Sequence, residues 1–132
     1  MKVPAEIDRI LDLGEACFRE SFRTAGAPPA TETAALEAHL RSLSFGYLYL
    51  TIVAVEIGRG VLHVGSWFQA YLAASGAFPK HYEAVERLMK DPTHLARHLE
   101  DGIFDMYRAG IDVNRLFEVP KPENPQNGGA AA

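Results

Sequence analysis

The sequence predicts an all-α fold, a compact bundle of about five helices. A short β-hairpin around residues 51–64 stays open as an alternative for one segment. Three observations point this way. Apolar residues recur at helical spacing towards both ends of the chain. Proline and glycine punctuate the connections between those stripes. Finally, residues 43–78 carry only Glu56 and Arg59 as formal charges, so the charged flanks read as cover for a buried centre.

Residues 4–24 predict a first helix, with Ile7, Leu11, Gly14, Phe18 and Phe22 on one stripe and Ile10, Leu13 and Cys17 beside it. Pro4 is harmless in a first turn, where its missing N–H has no partner to lose. Glu15 and Arg19 stand in the favourable i,i+4 order. The run GAPPA, Gly26 to Ala30, ends this helix, with Gly26 suited to a C-cap. A second helix is expected from Thr31 or Thr33, burying Leu36, Leu40 and Leu43 and pairing Glu37 with Arg41.

The middle is ambiguous. Residues 47–57 are apolar all round a helical projection, and Thr51, Ile52, Val53, Val55 and Ile57 are β-branched. Periodicity cannot assign such a run. It is either a fully buried central helix or a strand leading through Gly58-Arg59-Gly60 into a second strand at Val61–Val64. Propensity favours the hairpin. Context favours the helix, because an isolated two-stranded hairpin among helices is marginal.

Beyond it the signals sharpen. Ser66 with Gln69 has the spacing of a capping box, opening a helix whose apolar face is Trp67, Phe68, Tyr71 and Leu72 and whose stop is Gly76. Residues 81–90 form a short helix with Val85, Leu88 and Met89 inward and Glu83–Arg87 and Glu86–Lys90 as surface pairs. Asp91-Pro92 predicts a start, an N-cap followed by proline, for a helix to about Arg108 that buries Leu95, Leu99, Ile103 and Met106. Gly110 closes it, and a last turn takes in Asp112 to Phe117. Residues 1–118 are thus expected to form one helical domain, and 119–132, which lack a hydrophobic anchor, a disordered tail.

At 132 residues and 14.5 kDa the chain suits one core. Its formal net charge of −4 and the absence of a basic block argue against nucleic acid as a partner. A membrane is disfavoured too. The apolar run from Phe45 ends at Glu56, well short of the roughly 20 residues that a spanning helix needs. The single cysteine, Cys17, excludes an intrachain disulfide and fits a reducing compartment. The first residues, MKVPAEIDRI, resemble neither a signal nor a transit peptide, so the expected location is the cytoplasm.

Two groups of residues could carry chemistry. Glu56, Arg59 and His63 would share one face of an unbroken helix, and a buried carboxylate must find a partner. Walled by Tyr47, Tyr49, Trp67 and Tyr71, they would make a polar spot in an apolar small-molecule pocket, where Glu56 or His63 could act as a base. The plain alternative is a structural ion pair between Glu56 and Arg59. His94 and His98, four residues apart on one helix face, amount to half a metal site, with no HExxH glutamate. Their plain reading is a polar stripe beside Leu95 and Leu99.

No motif names a cofactor or a catalytic residue. The function expected is therefore a non-enzymatic helical interaction or assembly module, self-associating through the apolar 43–78 stretch. The alternative is a small-molecule-binding protein or small enzyme with its pocket around Tyr47, Glu56, Arg59, His63 and Trp67.

Overall fold

The computed structural model describes residues 3–23 and 30–118. The expected tail, 119–132, and the GAPPA connection as far as Pro29 lie outside the described residues. Seven α-helices occur among those described: α1 (Ala5–Ser21), α2 (Ala30–Arg41), α3 (Phe45–Gly58), α4 (Trp67–Ala77), α5 (His81–Leu88), α6 (Leu95–Arg108) and α7 (Val113–Glu118). A single 3₁₀ turn, Val64–Ser66, leads into α4. The architecture is all-α, with more helices than the five or so expected.

The β-hairpin alternative is overturned. Residues 51–58 continue α3, and no strand occurs among the described residues. The physical reason lies in the surroundings of α3. It packs along α6 and also against α4, α5 and α7, and ten of its 14 residues are buried. A strand pair here would bring unpaired edge N–H and C=O groups into a body that offers no neighbouring strand, whereas a helix satisfies its backbone internally. The β-branched residues lose at most about 0.7 kcal/mol each in helix propensity. Burying a Val or Ile side chain returns about 1.5–3 kcal/mol. Packing therefore decides, and the buried hydroxyl of Thr51 is satisfied within the helix, its Oγ1 donating to the Tyr47 carbonyl at 2.7 Å.

The start and end of α3 are both specified locally. Ser44, an N-cap that the sequence reading passed over, accepts from the Tyr47 N–H at 3.4 Å. At the other end Gly60 takes the left-handed conformation, φ 79°. Its N–H bonds to the Ile57 carbonyl at 3.0 Å and the Val61 N–H to the Glu56 carbonyl at 3.1 Å. This is a Schellman termination. Gly58-Arg59-Gly60 is thus a helix stop and not a hairpin turn. The same device closes α6, where Gly110 (φ 85°) bonds to Tyr107 and Ile111 to Met106, each at 3.0 Å.

Two expected starts differ in detail. Ser66 precedes α4, but its side chain makes no capping hydrogen bond. His63 acts one turn earlier, its Nδ1 accepting from the Gly65 N–H at 3.0 Å. Asp91-Pro92 lies in a turn, and α6 begins only at Leu95. The Asp91 carboxylate meets His94 Nδ1 at 3.0 Å instead of capping a helix.

Around α3 the remaining helices form the shell. α1 packs on α2 and α6, and α2 reaches α5. Ile7 and Ile10 of α1, Leu36 and Leu40 of α2, Val85 of α5 and Leu99 and Ile103 of α6 are fully buried, so the core is continuous across the bundle. No helix among the described residues is long and apolar enough to cross a membrane. At 1.5 Å per residue α3 is roughly 21 Å long, against a hydrocarbon thickness of about 30 Å.

Candidate functional site

Glu56 and Arg59, the only charges of the apolar stretch, come together at the C-terminal end of α3, at the mouth of a cleft of about 430 Å³. Helical geometry places them one turn apart, and Arg59 Nη1 lies 3.3 Å from Glu56 Oε2. The last turn of α5 brings a second guanidinium: Arg87 Nη2 donates to the same Glu56 Oε2. The carboxylate is thus held between two arginines, with its side chain only 19% exposed. Ile52, Val55, Leu88 and Leu95 supply apolar walls, and Lys90, Asp91 and His98 complete the lining.

The charge of this cleft follows from its residues. Arg59, Arg87 and Lys90 stand against Glu56 and Asp91, in a chain whose formal net charge is −4. Glu56 neutralises one of its two guanidiniums, and Asp91 faces His94. Lys90 makes no ion pair among the described residues and is exposed. The lining thus carries one positive charge in excess beside its apolar side chains.

The other residues singled out in the sequence lie elsewhere. His63 lines a separate, shallower hollow of about 610 Å³ with Ile57, Val61, Asp105 and Arg108. Tyr47 stacks on Phe117, with ring centroids 5.1 Å apart, and its hydroxyl donates to Glu6 Oε1 at 3.3 Å. Trp67 packs edge-on against Phe68 at 5.5 Å. Neither Tyr47 nor Trp67 lines either of these cavities. His94 and His98 have ring centroids 6.3 Å apart, and His98 lines the arginine cleft. Among the described residues no group of three or more His, Cys, Asp or Glu side chains is placed to hold a metal ion.

Arg87 and Lys90 are the cleft residues that sequence reasoning assigned elsewhere. Their i,i+4 spacing from Glu83 and Glu86 marked them as surface pairs. In the fold Glu83 Oε1 instead accepts from the Lys80 N–H at 3.0 Å, which leaves Arg87 free to turn towards α3.

A second feature lies on α4. None of its 11 residues is charged, and Phe68 and Leu72 are 52% and 53% exposed. Ring contacts continue from Phe68 to Tyr71, from Tyr71 to Tyr49 and from Tyr49 to Phe45 at the start of α3, itself partly exposed. Tyr49 anchors this aromatic row from beneath. Its hydroxyl donates to the Phe78 carbonyl at 2.7 Å, and burial, with smaller contributions from Tyr71 and Glu83, pushes its pKa up. Cys17 is fully buried between the helices, and its burial likewise pushes the thiol pKa up, which opposes nucleophilic chemistry there.

No protein-family model, curated protein or solved structure matches this chain.

Proposed function

We propose that this chain is a non-enzymatic helical assembly module that pairs with a second copy of itself through α4. The observation that carries this reading is the absence of any charge on a surface helix that leaves Phe68 and Leu72 half exposed. A surface helix of a monomeric bundle ordinarily turns charged residues outward. Where it does not, the exposed apolar face marks a contact.

Neutrality also favours the second copy as occupant. Across a two-fold axis the same patch meets itself, so a charge close to the axis would confront its like. α4 brings none. Phe45, beside Tyr49, extends the face onto α3 and gives the contact an aromatic character typical of interface centres. The single, buried thiol is consistent with a cytoplasmic home, where no disulfide would be called on to hold the pair.

Light scattering coupled to size exclusion, from low to high micromolar concentration, tests the proposal. The chain is expected to run as a dimer, and Phe68→Glu and Leu72→Glu, which put a charge on the contact of each copy, are expected to run as folded monomers. A wild-type chain that stays monomeric throughout would overturn it.

A further inference from the structure

We infer that the cleft between α3, α5 and the start of α6 binds a small amphiphilic anion, an organic carboxylate or phosphate monoester with an apolar body. Four observations converge on it. The cleft has a volume of about 430 Å³, inside the range of about 300–1,000 Å³ usual for small-molecule sites. Its apolar side is built by Ile52, Val55, Leu88 and Leu95. Its polar side is cationic, with Arg59, Arg87 and Lys90 exceeding Glu56 and Asp91 in number. And the two guanidiniums are already oriented, because Glu56 holds both.

That orientation makes the site selective. Glu56 occupies Nη1 of Arg59 and Nη2 of Arg87, and neither guanidinium has another hydrogen-bond partner among the described residues. Each therefore keeps its Nε–H and its second terminal nitrogen as donors, the fork that suits a carboxylate or phosphate. Glu56 thus acts as a positioning residue. It fixes two long side chains whose rotamers an incoming anion would otherwise have to freeze, and it leaves one guanidinium charge uncompensated. A cation would face that surplus charge, and a neutral apolar molecule would leave it unanswered.

The site is independent of self-association, since none of its lining residues belongs to α4. Isothermal titration with octanoate, octyl phosphate, octanol and inorganic phosphate tests it. Octanoate and octyl phosphate are expected to bind, with octanol and inorganic phosphate each at least about tenfold weaker. Arg59→Gln, at a position 41% exposed, is expected to weaken octanoate about tenfold, and Lys90→Gln about two- to threefold. Circular dichroism should stay at its wild-type value in both variants, and the thermal midpoint should fall by no more than about 3 °C. Phe68→Glu should leave octanoate affinity unchanged, which separates this site from the α4 face. The inference is overturned if octanol binds as tightly as octanoate, if inorganic phosphate binds as tightly as octyl phosphate, if neither arginine nor lysine variant alters octanoate affinity, or if octanoate shows no binding at millimolar concentration.

Discussion

Ala54 and Gly102 meet backbone to backbone: a Cβ added at Gly102 would lie 1.7 Å from the Ala54 carbonyl oxygen. One turn along the same crossing, a Cβ at Gly58 would lie 1.8 Å from the His98 carbonyl oxygen. The obstacle in both cases is backbone, which cannot swing aside. α3 and α6 therefore pack at a separation that only glycine permits at these two positions. Gly102→Ala is expected to destabilise the fold by about 3 kcal/mol or more, the upper end of overpacking costs. Gly58→Ala should cost a similar amount. Because either methyl group forces the same two helices apart, the double variant should cost clearly less than the sum. Urea unfolding of the three variants checks this, and additive losses would show that the helices do not move as rigid neighbours.

Gly60 gives a second prediction, aimed at the end of α3. Its positive φ belongs to a Schellman stop, and a β-carbon is strained there. Gly60→Ala should lower stability by about 1 kcal/mol, whereas Gly60→Asn should lose only part of that, since asparagine tolerates the left-handed region. No atom lies within 4 Å of the added β-carbon, so the loss would report backbone conformation alone. Equal losses for alanine and asparagine would count against it.

These glycines also show how much was legible beforehand. The stripe of α6, and Gly110 as a terminator, follow from spacing alone because that helix buries one face. On α1 the buried positions include Ile7, Ile10, Gly14 and Cys17, whereas Phe22, expected on the stripe, is 73% exposed. α3 buries nearly every face, so its apolar residues have no period, and its β-branched composition points towards strand. What makes it a helix is the neighbours around it, and no local window contains them. Ser66 does stand at the N-cap of α4, although its side chain makes no capping bond. The signal that misled is Asp91-Pro92, because α6 begins at Leu95 and the Asp91 carboxylate meets the His94 ring. The cleft was half visible. Glu56 and Arg59 stand out as the only charges in an apolar stretch, but Arg87 and Lys90 were camouflaged by ordinary i,i+4 partners.

The Glu56 carboxylate offers a third prediction. Glu56→Gln keeps the shape of the side chain, removes its charge and leaves two guanidiniums close together with no anion between them. At 19% side-chain exposure the loss should lie between that of a surface and a buried pair, about 1–2 kcal/mol. Added salt should recover part of it by screening the repulsion. Arg59→Gln, at 41% exposure, should cost less than about 0.5 kcal/mol. Urea unfolding at low and high salt measures all three effects. Equal losses for the two variants would mean that Arg87 adds nothing to the pair.

The last prediction concerns alkaline stability. Cys17 and Tyr49 both have pKa values raised by burial, from ordinary values of 9.0 and 10.0. In each case the folded chain holds its proton after the unfolded chain has released it. Between the unfolded and folded pKa the native state therefore binds more protons, and stability falls as pH rises. The contribution is complete below the unfolded values and is lost from pH 9.0 upward, first through Cys17 and then through Tyr49. Unfolding free energies measured from neutral pH into this range should decline less steeply in the Cys17→Ala, Tyr49→Phe double variant than in wild type. The neutral-pH value of that variant should itself be lower, because Tyr49→Phe gives up the 2.7 Å hydrogen bond to the Phe78 carbonyl, a loss of about 1–2 kcal/mol. The two kinds of effect separate: the lost hydrogen bond and the cavity left at the fully buried Cys17 lower the curve at neutral pH, and the two buried protons set its slope above it. Parallel curves for the two proteins would show that neither group is shielded from water in the way its position in the core implies.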